Sequence, residues 1–210
     1  MTNVLNSISQ NALSILYALP ALLITITLHE LAHGFVAYKL GDPTAKDLGR
    51  LTLNPLKHID PVGFLALIIL RFGWAKPVPY NSNYFKNKRL GTFLVAIAGP
   101  LTNIILALLS IVVIALLKGN NNIWYTLFEM MFLYNVIFAV FNSLPIPPLD
   151  GSKILASILP DPLESLFWKY EKYGYVILIL LIFTNVLELI LNPAITVTMN
   201  LLISFVQFFF

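Results

Sequence analysis

Two histidines and a glutamate stand within five residues of one another in the stretch TLHELAHGF (27–35). On a helix, His29 and His33 lie four residues apart, so their imidazoles project from one face and can converge on one ion. Glu30 is rotated by about 100° from His29, where its carboxylate can take a proton from a water beside that ion. This is the His-Glu-x-x-His arrangement of zinc hydrolases, with the glutamate as general base.

The alternative to a metal site is a pair of buried histidines that hydrogen-bond across a helix bundle. The motif lies in the second half of an apolar stretch, residues 12–40, that is long enough to cross a membrane. Ionisable residues at the centre of a bilayer cost roughly 2.5–3.5 kcal/mol each on insertion scales, and they usually mark a functional site. Three such residues together therefore favour a metal site over chance.

A third ligand is required, because a catalytic zinc usually has three protein ligands and one open position. The chain contains no cysteine, so this ligand must be an oxygen or another imidazole. Asp150 is a candidate because it follows an apolar span directly, in the proline-rich stretch NSLPIPPLDG (142–151). Asp-Gly is also a common turn pair, and an aspartate that caps the following helix explains the residue equally well. Spacing alone leaves both interpretations open.

The elements that carry these residues are membrane spans. The 210-residue chain is 58% hydrophobic and 11% charged, whereas a soluble domain has about 25% charged residues. We therefore expect an all-α polytopic membrane protein with five to six transmembrane segments, since about 20 apolar residues cross the hydrocarbon layer. The predicted spans are 12–40, 90–117, 123–144, 174–191 and 194–210, the last two joined at Asn192-Pro193, with a short or re-entrant segment at 61–72.

The basic residues predict the orientation of these spans. If 61–72 enters the membrane and returns, every lysine and arginine falls on one side except Lys118. The positive-inside rule makes that side the cytoplasm. We therefore expect a multi-pass protein of the cell membrane with an external N-terminus and a site that opens toward the cytoplasm. The bilayer is its expected partner, and the basic residues do not indicate nucleic-acid binding.

The loop between the first two spans predicts a small extended element at the cytoplasmic side. GRLTLN (49–54) alternates like a short edge strand, and KPVPYN (76–81) is expected to be extended, since Pro77 and Pro79 restrict the backbone. His58 in this loop is expected to be a solvated or turn-stabilising side chain, with a role in closing the site as the alternative. We expect one domain, residues 1–210.

The motifs together resemble the site-2 protease family of intramembrane zinc metalloproteases. HELAH lies in the first span, AGPLTN (98–103) in the next, and FNSLPIPPLDG (141–151) near the end of the third. The stretches LGRLTLNPLKHIDPVG and AKPVPYN are similar to those of the compact prokaryotic members that lack a PDZ domain. The resemblance runs from about residue 20 to 155, within a predicted core of 12–155. The additional C-terminal spans, 174–210, carry no motif.

The resemblance implies one zinc ion per chain, held by His29, His33 and Asp150, with Glu30 as general base. The implied activity is hydrolysis of peptide bonds within or near transmembrane helices, so the implied partner is a transmembrane protein substrate. A non-proteolytic metal-binding membrane protein or transporter is the main alternative. A glutamate between the two histidines favours the protease, because a transport site does not need a general base.

Two further residues, Asn103 and Asn142, follow from the same match, whereas Pro77 and Pro79 are candidates because they lie in the segment 76–81, which is expected to be extended. Asn103 is expected beside the metal helix, either in a direct role or as a buried amide that hydrogen-bonds between helices. Asn142 is expected to hold the substrate backbone or to stabilise the oxyanion. Pro77 and Pro79 lie in a segment that can offer an edge to an unwound substrate.

Overall fold

The computed structural model of the protein describes residues 2–70, 73–117 and 122–209. Within these ranges the chain is helical and contains no β-sheet. Arg71 and Lys118, two of the basic residues that predict the orientation of the spans, lie outside the described residues. The α-helices of these ranges are, in chain order, α1 (Thr2–Lys39), α2 (Thr44–Asp47), α3 (Pro61–Leu70), α4 (Lys88–Leu116), α5 (Ile123–Asn142), α6 (Asp150–Ile158), α7 (Asp161–Tyr170), α8 (Gly174–Phe183) and α9 (Val186–Gln207).

Four helices of the described chain are long and apolar enough to cross a membrane: the Ala18–Lys39 part of α1, and α4, α5 and α9. The side chains of Asn87 and Asn122 accept backbone amides of the first turns of α4 and α5, so both helices begin at an asparagine cap. The spans predicted at 90–117 and 123–144 match these two helices within two residues. A polytopic helical membrane protein is confirmed.

The helices α1, α4 and α5 form the central bundle, and α4 runs antiparallel to α1. His29 contacts Asn103, whereas His33, one turn later in α1, contacts Val95, which lies two turns earlier in α4. Matching positions therefore run in opposite directions along the two helices. This arrangement places the two histidines of the HELAH motif against one face of α4.

The C-terminal region forms one short and one long helix, not two spans joined at Asn192-Pro193. Asn185 has a φ of 58° between α8 and α9, and asparagine tolerates this left-handed conformation better than most residues. Pro193 lies inside α9, where a membrane helix can keep a proline because neighbouring groups satisfy the freed carbonyl. The predicted boundary between spans 174–191 and 194–210 is therefore wrong.

The long helix α9 packs along α5 and α4. Near its start, Leu187 joins Leu178 of α8 and Leu149, the residue before α6, in one apolar cluster. The cluster farther along α9 joins its residues to α4 and α5 and comprises Ile195, Met199, Leu202 and Ile203 packed against Ala107, Phe132 and Val136. α9 therefore begins near the C-terminal end of α5 and runs back along it.

The loop between α1 and α4 contains the short helices α2 and α3, and its described residues form no strand. α3 has ten residues and is about 15 Å long, too short to cross the hydrocarbon layer. The segment predicted at 61–72 is therefore short where it is described, and residues 71 and 72 lie outside the described ranges. The edge strand predicted at 49–54 is wrong: β-pairing in the described chain consists of one isolated bridge, between Ile59 and Ala75.

Side chains replace the expected backbone pairing in this loop. The Arg50 guanidinium donates to the carbonyls of Lys76 and Pro77 at 2.7 and 3.1 Å. The Asn54 side chain accepts the amide of Leu56 and starts a 3-10 turn, which ends any extended run there. The segments 49–54 and 76–81 are thus held together by the Arg50 guanidinium and not by backbone hydrogen bonds between strands.

His58 is buried, so the expectation of a solvated side chain is wrong. Its Nε2 donates to the Thr52 carbonyl at 2.9 Å, which stabilises the turn. His58 does not belong to the buried group of potential metal ligands.

Candidate active site

Three side chains from two distant parts of the chain meet inside the bundle. His29 and His33 come from α1, and Asp150 is the first residue of α6. The two Nε2 atoms lie 3.1 Å apart, and Oδ2 of Asp150 lies 3.2 Å from one and 3.1 Å from the other. All three residues are buried, each with at most 8% of its surface exposed.

The hydrogen bonds of the two rings leave both Nε2 atoms as acceptors. His33 donates through Nδ1 to the Val95 carbonyl at 2.7 Å, and His29 donates through Nδ1 to Oδ1 of Asn103 at 2.5 Å. A neutral imidazole has one N–H, so each Nε2 carries a lone pair. The buried Oδ2 of Asp150 has no hydrogen-bond donor within the described residues. Three acceptors that face one another in a buried site require a cation, and the residues therefore fit a metal.

The spacing of the three atoms suits zinc. In a tetrahedral site with bonds of roughly 2.0–2.1 Å, ligand atoms lie about 3.3 Å apart. The observed separations are 3.1–3.2 Å. Two imidazoles and one carboxylate are also a ligand set of catalytic zinc sites, which keep a fourth position open.

Gly99 allows α4 to approach these ligands. A Cβ atom at this position would lie 2.4 Å from Nε2 of His33 and 2.7 Å from Nε2 of His29. Only a residue without a side chain fits there. Pro100 follows inside the helix, and its missing N–H removes one helical hydrogen bond at the level of the site.

The carboxylate of Glu30 is tied to the segment 76–81, which has no regular secondary structure. Val78 donates its backbone N–H to Oε2 of Glu30 at 2.8 Å, and both residues are buried. At the other end of the segment, Asn81 donates its N–H to the buried carboxylate of Asp42 at 2.6 Å. Together with the guanidinium at its start, charged side chains thus hold the segment at three points.

The remaining predicted residues lie around this centre. Asn142 is the last residue of α5, and its side-chain N–H donates to the Phe138 carbonyl of the same helix at 3.1 Å. Phe138 also packs edge-on against the ring of His29. Pro77 and Pro79 flank Val78, so the residue whose amide reaches Glu30 is fixed between two prolines.

The loop that carries Asp150 is supported by the C-terminal helices. Leu149 packs against Leu178 and Leu187, as described above. The Cα of Gly174, the first residue of α8, lies so close to Pro147 that a Cβ atom would come within 2.4–2.5 Å of it. Asp150 is therefore held from α8 and α9 as well as from α5.

A chain of buried amides extends from His29, and the sequence analysis missed its outer members. Asn103 donates through Nδ2 to Oδ1 of Asn135 at 2.8 Å, and Asn135 donates through Nδ2 to Thr25 at 3.0 Å and to the Met131 carbonyl at 2.8 Å. Asn103 thus lies beside the metal helix and also bonds between helices. The available signal was an asparagine in the middle of the apolar span 123–144, since a buried amide is costly without partners.

Comparison with known proteins matches this chain to a family of peptidases. The sequence profile of Peptidase family M50 matches residues 17–123 and 118–184. "Putative zinc metalloprotease YwhC" of Bacillus subtilis is 38% identical over 84% of this chain and 84% of its own length. "Putative zinc metalloprotease Rip2" of Mycolicibacterium smegmatis is 29% identical over 79% of this chain and 66% of its own length. "Zinc metalloprotease MJ0392" of Methanocaldococcus jannaschii is 29% identical over 73% of this chain and 34% of its own length. No solved structure matches the chain.

The apolar helices and the buried ligand group define a membrane-embedded metallopeptidase. The chain belongs to Peptidase family M50, and the resemblance to the site-2 proteases is confirmed.

Proposed function

We propose that this chain hydrolyses peptide bonds within or near the transmembrane helices of other membrane proteins, with one zinc ion held by His29, His33 and Asp150. The observation that carries the proposal is the convergence of three buried acceptor atoms at 3.1–3.2 Å between apolar helices. When bound, zinc supplies a Lewis acid that polarises the scissile carbonyl and lowers the pKa of water. Peptide bonds at this depth belong to membrane-spanning segments.

Glu30 is the proposed general base. It follows His29 on α1, so its carboxylate lies beside the ligand group and not within it. The amide of Val78 fixes one carboxylate oxygen, and the second oxygen is the one proposed to take the proton from the attacking water. The same carboxyl group then protonates the departing amine.

A transmembrane substrate must unwind before it can react, because a helix holds its carbonyls in hydrogen bonds to amides four residues later. We propose that the segment 76–81 receives the unwound chain as an extended partner. Pro77 and Pro79 restrict this segment, and its anchors on Glu30 and Asp42 hold it beside the ligand group. A restricted receptor loses little conformational freedom when the substrate binds.

Asn142 is proposed to donate to the substrate backbone or to the developing oxyanion. One of its two side-chain N–H groups is used by the Phe138 carbonyl, which fixes the amide, and the other can donate to the substrate. A fixed donor is effective because it needs no reorganisation when charge develops.

For the topology, we propose six apolar segments in one domain, residues 1–210, with an external N-terminus and a site that opens toward the cytoplasm. The helices α1, α4, α5 and α9 cross the cell membrane, and the two ten-residue helices α3 and α8 enter from the cytoplasmic side. The C-terminal end of α1 and the N-terminal end of α4 meet on that side, where most lysines and arginines lie. The core is 12–155, and 174–210 adds the C-terminal segments.

Replacing Glu30 tests the function. The purified chain is assayed for zinc content and for cleavage of a tagged single-span peptide with a Gly-Pro break in its apolar segment, which lowers the cost of unwinding. Glu30→Gln should keep one zinc per chain and lower cleavage by about 10²–10⁴-fold, the range for a general base. Glu129→Gln changes an exposed carboxylate on α5 and should alter neither quantity.

Cleavage by Glu30→Gln at the wild-type rate would refute the mechanism. A wild-type chain that binds zinc and cleaves no membrane peptide would favour the rival function, a non-proteolytic metal-binding protein or transporter.

A further inference from the structure

A backbone carbonyl fixes the orientation of the Asn135 side-chain amide, the member of the buried amide chain farthest from His29. A backbone carbonyl can only accept a hydrogen bond, so the Met131 carbonyl requires that the Nδ2 group of Asn135 faces it. The oxygen of the Asn135 side chain must then point the other way, toward Asn103. Asn135 is fully buried, so water does not compete for these positions.

The orientation of Asn135 in turn fixes the side-chain amide of Asn103 and, through it, the protonated nitrogen of His29. Because Asn135 presents an oxygen, Asn103 must turn its Nδ2 group toward it and its Oδ1 toward His29. An oxygen beside Nδ1 requires that Nδ1 carries the proton of the neutral ring. Nε2 of His29 is then the unprotonated nitrogen that faces His33 and Asp150.

We propose that Asn135 is a positioning residue of the metal site, which sets the protonated nitrogen of His29 by fixing the amide of Asn103. The proposal rests on the proposed function, since the metal is what Nε2 is kept free to bind. In both histidines a backbone carbonyl determines that Nδ1 carries the proton. In His33 the carbonyl accepts directly from Nδ1, whereas in His29 the effect of the carbonyl is passed on through the side-chain amides of Asn135 and Asn103.

Thr25 completes the arrangement. Its hydroxyl lies on α1, one turn before His29, and accepts the second N–H of Asn135 at 3.0 Å. The relay therefore runs from α1 through α5 and α4 and back to α1. Within the described chain, no side-chain nitrogen or oxygen of Asn103 or Asn135 is buried without a hydrogen-bond partner.

The experiment compares four variants of the full chain in detergent: Asn135→Leu, Asn103→Leu, the double variant, and Asn135→Asp. Zinc affinity is measured by competition with a chelator. Asn135→Leu should lower the affinity about 10–100-fold, the range for groups that orient a ligating histidine. If Asn135 acts through Asn103, the double variant should bind as Asn103→Leu does. The buried carboxylic acid of Asn135→Asp, neutral in an apolar site, can donate its O–H to the Met131 carbonyl and present its other oxygen to Asn103, so this variant should retain most of the affinity.

Ser110→Ala is the matched control for loss of a buried polar group. Ser110 is buried on α4, and its hydroxyl bonds only to the Leu106 carbonyl of the same helix. This variant should keep the wild-type zinc affinity. The proposal is overturned if Asn135→Leu binds zinc as the wild type does, if the Leu effects add fully, or if Asn135→Asp is as weak as Asn135→Leu.

A second readout uses the metal-free protein and so separates this proposal from the proposed function. The chain has three histidines, so ¹⁵N labelling of their rings gives a simple spectrum. His29 should be protonated at Nδ1 in the wild type and should shift toward the Nε2-protonated form in Asn135→Leu. A wild-type ring protonated at Nε2 overturns the relay. A wild type that shows the expected ring but binds no zinc overturns the proposed function alone.

Discussion

Gly99→Ala adds one methyl group, and the structure predicts that this small change has a large effect on the proposed metal site. The added methyl group would lie 2.4 Å from Nε2 of His33 and 2.7 Å from Nε2 of His29, whereas ordinary contact begins at 3.4 Å. Because Cε1 of His29 would lie nearer still, at 2.5 Å, the rings of His33 and His29 would have to move by 3.4 − 2.4 = 1.0 Å and 3.4 − 2.5 = 0.9 Å relative to α4. Either the rings leave the ligand position, or α4 withdraws and the bonds from Val95 and Asn103 break.

The size of the effect follows from the tolerance of metal sites. Ligand distances in a working site lie within about 0.2 Å of their standard values, so a shift of 0.9–1.0 Å is several times larger. Loss of a group that merely orients a ligand costs 10–100-fold in affinity. Displacement of two ligands should therefore cost more than about 100-fold, which corresponds to more than about 2.7 kcal/mol at 1.36 kcal/mol per factor of ten.

Zinc affinity by chelator competition is the assay, with Gly91→Ala as the control. Gly91 lies on the same helix, eight residues or about 12 Å away, and its added methyl would lie 2.4 Å from the Phe85 ring. This control should lower the melting temperature and keep the zinc affinity. If Gly99→Ala binds zinc as tightly as the wild type, the ligand group is not where the metal sits, and the reasoning fails.

Two further predictions concern the side of the protein that we propose to face the cytoplasm. Replacing 76–81 by a Gly/Ser run should keep zinc bound and abolish cleavage, measured by zinc content and peptide cleavage together; unchanged cleavage would refute the role of this segment. The Arg89 guanidinium bonds to Glu164 and holds the pKa of that carboxyl group below its ordinary value of 4.5. The stability gained from this pair is therefore complete above about pH 4.5 and lost as the pH falls through the lowered pKa. Arg89→Gln should lower the melting temperature at pH 7, and its difference from the wild type should shrink as the pH falls below the ordinary pKa of 4.5. A difference that is constant over this range would contradict the pairing.

The long helices could be predicted from the sequence because their signal is local. A run of about 20 apolar residues specifies a membrane helix wherever it lies, and asparagines at 87 and 122 mark where α4 and α5 begin. The C-terminal boundary was predicted wrongly because Pro193 is a strong local signal for a break, whereas Asn185 is a weak one. The predicted strand failed because the partner of Arg50 is set by tertiary contact, which alternation of residues does not report.

The candidate site also contains residues that local sequence predicts and residues that depend on tertiary contacts. His29, Glu30 and His33 lie on one helix, so their geometry follows from the helical repeat. Spacing alone leaves Asp150 open between a metal ligand and a helix cap, since its distance from α1 depends on the fold of the whole bundle, and only the family resemblance implies that it is a ligand. The contact of Glu30 with the amide of Val78 had no sequence signal, because a backbone N–H is the same in every residue except proline.

The recognisable motifs end near residue 155, but the structure that keeps the third ligand in place does not. Leu178 and Leu187 pack against the neighbour of Asp150, and Gly174 lies against Pro147. A shortened protein that stopped after the last motif would retain all three proposed ligands. It would lose the C-terminal residues that pack against the loop carrying Asp150. For this molecule we therefore expect the smallest catalytic unit to extend beyond its signature sequences and to include the C-terminal helices.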